Sequence, residues 1–299
     1  MNTVWVLVRR NTKLFFKDKG MFFTSLITPG ILLLLYSTFL GNVYKNSFIA
    51  LMPEGVTLSN EILNGVVGGQ LISSILAVSC VTVAVSCNML MVQDKASGGL
   101  KDLTMTPVKN SSLALGYYFA TLISTLIICY AATSLCLVYI AITGWYMSLA
   151  DVLLLFIDIF LLVMFGTALS SVINFFLSTQ GQIAAVSTIV SSCYGFICGA
   201  YMPISQFSPG LQKAVSLLPG TYGTALVRTH SLRGVFGEMK EIGVPQEILD
   251  EMGKSVDINV YFFGDRVSVG TMFVILGGAV AALVGIYVLL NVFLKKKNK

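Results

Sequence analysis

The sequence has 299 residues, of which 56% are hydrophobic and only 11% charged. Soluble domains carry about a quarter charged residues, so a water-soluble globule of this composition would lack the polar surface to meet its solvent. The formal net charge of +5 does not mark a nucleic-acid binder, because the basic residues sit beside and between apolar runs, where membrane topology places them.

In chain order, the first element is amphipathic. On a helical wheel Val4, Leu7, Val8, Leu14 and Phe15 gather on one side, with Trp5 and Phe16 at its margin. Arg9, Arg10, Lys13 and Lys17 gather on the other. This pattern predicts an interfacial helix over 1–19, lying in the headgroup layer. Six apolar runs then follow, near 21–40, 66–92, 113–142, 152–177, 183–201 and 269–294. Each is long enough to cross a hydrocarbon core, which takes roughly 20 residues of helix. The first run has full span length and no small-residue cleavage pattern after it, so it reads as a retained helix rather than a signal peptide. Gly65 and Gly69, Gly195 and Gly199, and Gly277, Ala281 and Gly285 recur at four-residue spacing, which suits close packing within one subunit or a dimer seam.

Lys and Arg set the orientation. Arg9 to Lys19, then Lys95, Lys101 and Lys109, then Lys295 to Lys299 fall on one side of a six-span topology. Positive charge stays inside, so both termini and the loops at 93–111 and 178–182 are expected in the cytoplasm.

The loop at 202–268 is then outside, and it carries helix punctuation. Ser208 and Pro209 open one helix, Pro219-Gly220 stops it, a second covers 220–233, and Pro245 opens a third, acidic one. The first two are apolar enough to dip into the outer leaflet, and the third reads as water-exposed. The purpose of the acidic stretch 238–257 is not evident from the residues.

Candidate chemistry is sparse. All six cysteines lie within apolar runs with no C-x-x-C spacing, so they read as small hydrophobes. His230 is the one histidine, which argues against a His-based zinc site or a hydrolase triad, and it reads as a surface or interface residue. Gly253-Lys254-Ser255 imitates the end of a phosphate loop, but Ile248 stands where its first glycine belongs. Asp158 is the one acid expected inside the membrane. It marks a substrate path or a pairing, or it snorkels to the outer interface about two turns from Asp151. In the loop after the second span, Gly98-Gly99 permits a sharp turn, Leu100 and Leu103 share one face of a short helix, and Pro107 ends it. Such a helix is either a docking element for a partner or an ordinary solvated loop.

At this loop the chain resembles the ABC type-2 transporter permeases, and within them the daunorubicin-resistance-like drug exporters. Leu100, Leu103, Thr106-Pro107, Lys109 and Gly116 match the family's loop, while Gln93-Asp94-Lys95 and Gly98-Gly99 depart from it. The basic leader, its Lys17-Asp18 step and the proline-bearing first span are similar to the family's start. Pro203, Pro209, Pro219, Tyr222 and Arg228 match its second signature, an extracellular helical hairpin before the last span.

The resemblance implies an all-α polytopic membrane protein, a single permease domain over 1–299 with six transmembrane helices. It implies a multi-pass protein of a cell (plasma) membrane, of bacterial origin. The implied function is a permease subunit of an ATP-driven exporter. It would move a hydrophobic or amphipathic drug, antibiotic, peptide or lipid-like molecule outward, and is not itself an enzyme. Asp94, Lys95, Leu100, Lys101, Asp102, Leu103, Thr106 and Pro107 would form the coupling helix against a separate cytoplasmic ATPase. That ATPase would bind ATP and Mg, leaving this chain without a cofactor. A second permease subunit, identical or not, and the lipid bilayer are the other implied partners; nucleic acid is not one. The alternative is an ion-coupled secondary transporter using Asp158.

Overall fold

The computed structural model describes residues 3–50 and 58–293. Helix dominates, with one two-stranded hairpin among the described residues. The basic cluster at 295–299, expected inside, lies outside the described residues.

Helix α1 spans Thr3–Lys17 and turns Leu7, Val8, Asn11 and Phe15 inward. Those residues pack against α7, Asn110–Thr143, rather than against lipid. The apolar residues left outside are Trp5, Val6, Leu14 and Phe16. The expected lipid-facing stripe therefore divides, with part of it covering the chain's own bundle. Gly116 of α7 makes this possible, since a Cβ there would come within 2.8 Å of the Leu7 Cβ.

Asp18 caps the next helix, accepting from Met21 N at 3.1 Å. Helices α2 (Lys19–Ser25), α3 (Ile27–Leu35), a π turn (Tyr36–Leu40) and α4 (Gly41–Ala50) run on as one membrane-length rod of 32 residues. Its inward residues are Met21, Leu32, Tyr36, Tyr44 and Phe48.

Helix α5, Asn60–Ser97, is the axis of the fold. At 1.5 Å per residue its 38 residues span about 57 Å, well beyond a hydrocarbon core of about 30 Å. It is buried along most of its length by α3, α7, α8 (Leu149–Phe176), α9 (Gln180–Ile197) and α11 (Pro219–Glu241). Gly69 lets α11 approach, because a Cβ there would meet Leu232 at 2.6 Å. The first of the four-residue glycine pairs thus serves packing within the subunit. A Cβ at Gly277 or Gly285 of the last helix, α13 (Val269–Phe293), would meet nothing within 4 Å among the described residues.

Five described helices are long and apolar enough to cross a membrane: the rod Lys19–Ala50, α5, α7, α8 and Val269–Val292 of α13. The stretch expected as a span at 183–201 forms α9, which has 18 residues and is not among the five. Its first turn is polar, with Thr179 and Gln182 in a reciprocal capping box. Ser187, Thr188, Ser191 and Ser192 lower its apolarity further.

The segment before α13 is more deeply built in than expected. Helix α10 (Pro209–Ser216) and α12 (Gln246–Ser255) begin near the expected prolines. Pro219 opens α11 rather than merely closing α10, and α11 runs eight residues beyond 233. Most of α11's first half is buried among α5, α8 and α13. In α12 the acids Glu247, Asp250 and Glu251 face outward while Leu249 and Met252 face in. Strands β1 (Tyr261–Phe262) and β2 (Asp265–Arg266) form the hairpin that leads to α13.

Candidate functional site

Two ends of the bundle carry the candidate residues. The basic end holds α1 and a short helix α6, Gly99–Met105. The hairpin end holds α10, α11, α12 and the strands.

At the basic end α5 runs on through the expected start of the loop. Gly98 then breaks the rod in the left-handed region, with φ of 87°, and α6 departs from it. Asp94 and Lys95 are therefore inside the bundle rather than on a loop. Asp94 takes both arms of Arg10, Nη1 to Oδ2 at 2.8 Å and Nη2 to Oδ1 at 3.3 Å. The Tyr117 hydroxyl donates to the same Oδ2 at 2.5 Å. One carboxylate thus joins α1, α5 and α7, and its hydrogen bonds hold the Arg10 guanidinium above its ordinary pKa. The Lys95 ammonium donates to the carbonyls of Asn174, Phe175 and Leu177, at 2.8, 2.7 and 2.9 Å. These carbonyls close the end of α8, where a cation also meets the negative end of the helix dipole.

Helix α6 then shows two faces. Leu100 and Leu103 are half-buried and pack against the main core. The two share one face, as expected, and that face seats the helix on its own subunit. Lys101, Asp102, Thr106 and Pro107 are exposed, and Met105 is 83% exposed. A cavity of about 550 Å³ lies beside α6, with Lys95, Lys101, Tyr117 and Asn291 among apolar walls such as Leu113 and Phe175.

Between the two ends, Asn88 and Asn174 bridge α5 to α8. The Asn88 amide donates to Ser170 and Ser171 hydroxyls at 3.1 and 2.9 Å, and Asn174 donates to the Asn88 carbonyl at 3.1 Å.

Toward the hairpin end, Asp158 of α8 is fully buried, and its Oδ2 lies 2.5 Å from His230 Nδ1 of α11. His230 is therefore not a surface residue. Of the two readings of Asp158, pairing stands and snorkelling does not. Asp151, seven residues earlier, forms an ion pair with Arg233, with Oδ1 and Nε 2.6 Å apart. Two acids of α8 and two bases of α11 thus clip these helices together.

Arg228 is the largest fully buried side chain. Its Nη1 donates to Asp257 Oδ2 at 3.1 Å, and its Nη2 to the Gly199 carbonyl at 2.9 Å and Ser74 Oγ at 3.3 Å. Tyr36 donates to Ser74 Oγ at 3.0 Å. Asp257 also accepts from Ile204 N at 2.7 Å and Ser205 N at 3.3 Å. Burial pushes the Asp257 carboxyl above its ordinary range, opposed by Arg228 and by those two backbone donors. This hub joins the first rod, α5, α11 and the connection after α12.

The other expected hairpin residues surround it. Pro203 is buried and precedes a single 3₁₀ turn, Ile204–Gln206. Pro209 and Pro219 each take the first helical position, of α10 and α11. The Tyr222 hydroxyl donates to the Ser216 carbonyl at 2.5 Å, and Thr221 donates to that of Val215 at 2.9 Å, which closes the end of α10 onto α11.

Sequence reasoning did not single out Arg10, Tyr117, Ser74 or Asp257 as partners. For His230 a signal existed, since an acid inside a span requires a partner and the chain has one histidine.

The comparison with curated proteins returns no match. The ABC-2 type transporter family model matches residues 2–230, a range that takes in α1, the rod, α5 to α10 and α11 as far as His230. That match covers well over half of an all-helical chain with several membrane-length helices, and so the chain belongs to the ABC-2 type transporter family.

Proposed function

We propose that this chain is the membrane-spanning subunit of an ATP-driven exporter in a bacterial plasma membrane, energised by a separate nucleotide-binding ATPase. In this reading the basic end and both termini are cytoplasmic, the hairpin end is outside, and α9 completes six crossings. The ATPase binds ATP and Mg. A second permease subunit, identical or not, closes the pathway, and the open Gly277 and Gly285 face of α13 suits that contact. The cargo is hydrophobic or amphipathic, in keeping with the mixed walls of the basic-end cavity.

The observation that carries this reading is the construction of α6. It is anchored by Leu100 and Leu103, presents Lys101, Asp102, Met105, Thr106 and Pro107 outward, and is joined to the end of α5. A push on α6 acts on a rod that reaches, about 35 Å away, Ser74 and the buried Arg228. ATP can drive that motion only by favouring one membrane conformation over the other.

The test uses the chain co-purified with its ATPase in proteoliposomes. Met105→Glu places a charge at the most exposed apolar position of α6. It should lower ATP-driven export by roughly tenfold while thermal stability stays within about 0.5 kcal/mol of wild type. Unchanged export and undiminished co-purification would remove the coupling role from this face.

A second reading, ion coupling at Asp158, is favoured by one observation: the carboxylate is fully buried against an ionisable partner, with its Oδ1 unpartnered. Export that survives ATP depletion and collapses with a protonophore would select it.

A further inference from the structure

A second cavity, of about 500 Å³, opens at the hairpin end between α10, the end of α12 and the strands. Its charge is unbalanced. Asp257 lies on its wall, but that carboxylate is already met by Arg228 and two backbone N–H groups. Lys213 and Lys254 line the same space, and neither makes an ion pair among the described residues. Each ammonium instead rests over an aromatic ring, Lys213 over Phe263 and Lys254 over Tyr261, both 5.9 Å from the ring centre.

Two further features point to an occupant. Asn259 lines the cavity and is 8% exposed, yet its side-chain oxygen has no hydrogen-bond partner. An amide oxygen accepts, so it suits the O–H that a hydrogen-phosphate head keeps, and not a fully ionised carboxylate. Phe263 holds φ of 50° and Gly264 φ of 108° in the two-residue turn between β1 and β2. That turn suits Asn-Gly, and a bulky ring at its first position is strained. The strain sets Phe263 on the lip of the cavity, beside Lys213. Exposed apolar residues stand on the same elements, with Leu211 of α10, Leu217 just after it and Phe262 of the hairpin.

We propose that this cavity binds an amphipathic anion, with an acidic phosphate head held by Lys213 and Lys254 and an apolar body against Tyr261 and Phe263. Two sources carry that chemistry: an anionic phospholipid of the adjoining leaflet, and an acidic molecule leaving the transporter. Lysines parked on rings are pre-positioned for a head group, because a charge-assisted hydrogen bond to phosphate is stronger than a partly solvated cation–π contact.

The test is calorimetric titration of the full chain in phosphatidylcholine nanodiscs, with empty discs subtracted. The probes are octyl phosphate, inorganic phosphate and, as a cation with the same body as the first, octyltrimethylammonium. The variant Lys213→Gln/Lys254→Gln alters side chains on exposed positions and should leave the fold intact. Wild type should bind octyl phosphate roughly tenfold tighter than this variant, with no such difference for the cation. Phe263→Ala should weaken octyl phosphate and spare inorganic phosphate. Equal binding of octyl phosphate by wild type and the double variant overturns the site. An unchanged Phe263→Ala titration overturns its apolar half. Discs containing phosphatidylglycerol separate the sources. Competition in wild type alone assigns the site to lipid, and undiminished octyl phosphate binding assigns it to an exported acid. No ATPase is present in this assay, so its failure leaves the exporter reading standing.

Discussion

Each end of the bundle is held by an aspartate that grips an arginine, and the two grips differ in kind. At the basic end the Arg10 side chain is 35% exposed and Asp94 11%. At the hairpin end the figures are 0% for Arg228 and 7% for Asp257. The first pair joins a surface helix to the bundle, and water and salt can reach it. The second is enclosed, and its arginine also bonds to Gly199 and Ser74. Similar chemistry therefore gives a releasable clasp in one place and a fixed node in the other. The two ends therefore differ in how far water and salt can loosen them.

Three single substitutions and two second-site changes test the contrast, and the enclosed node should respond most. Arg228→Met leaves Asp257 without its cation in a dry site, and should lower unfolding stability by about 3–5 kcal/mol. Adding Asp257→Asn should recover part of that loss, as read by chemical unfolding in detergent. A single-variant loss under 1 kcal/mol would erase the distinction. Asp158→Ala removes the partner of buried His230 between the two ends, and should cost about 1–3 kcal/mol. It should also leave Arg233→Gln with a larger effect than that change has in wild type, because both pairs clip α8 to α11. Arg10→Gln should cost the least, about 1 kcal/mol or less, because the pair is open to solvent on the Arg10 side and Tyr117 still donates to the carboxylate. This small effect should shrink further in high salt while that of Arg228→Met does not. Equal salt sensitivity at the two sites would show that the clasp and the node are alike.

What the sequence made legible follows from range. The long apolar runs announce α5, α7, α8 and α13, because a span is a local property of some 20 residues. Gly98 and Pro107 announce α6 for the same reason. The pairings were hidden because they are not local: Arg10 and Asp94 stand 84 residues apart, Asp158 and His230 72, and Arg228 and Asp257 29. No pattern near Asp94 says that it turns inward, so the assumption that a charged residue after a span is on a loop placed it, and Lys95, with the docking surface. Helix α11 was underestimated for a related cause. Its Gly, Thr, Ser and Ala content is weakly apolar, and small residues signal close packing only once a neighbour is known. The family match stops at His230, so it covers Arg228 and leaves Asp257 beyond it.

The π turn at Tyr36–Leu40 has a consequence for how the chain tolerates change. Tyr36 and Tyr44 are eight residues apart, yet their rings stack 5.8 Å apart and nearly parallel. Eight residues of unbroken α-helix would overshoot two full turns by about 80° and splay those rings. The wider turn takes up the excess, so the alignment depends on how many residues lie between the tyrosines more than on which ones they are. The exposed side chains at 38 and 39 are therefore open to drift, whereas gaining or losing a single codon there would rotate everything downstream and turn Tyr44 and Phe48 out of their seats.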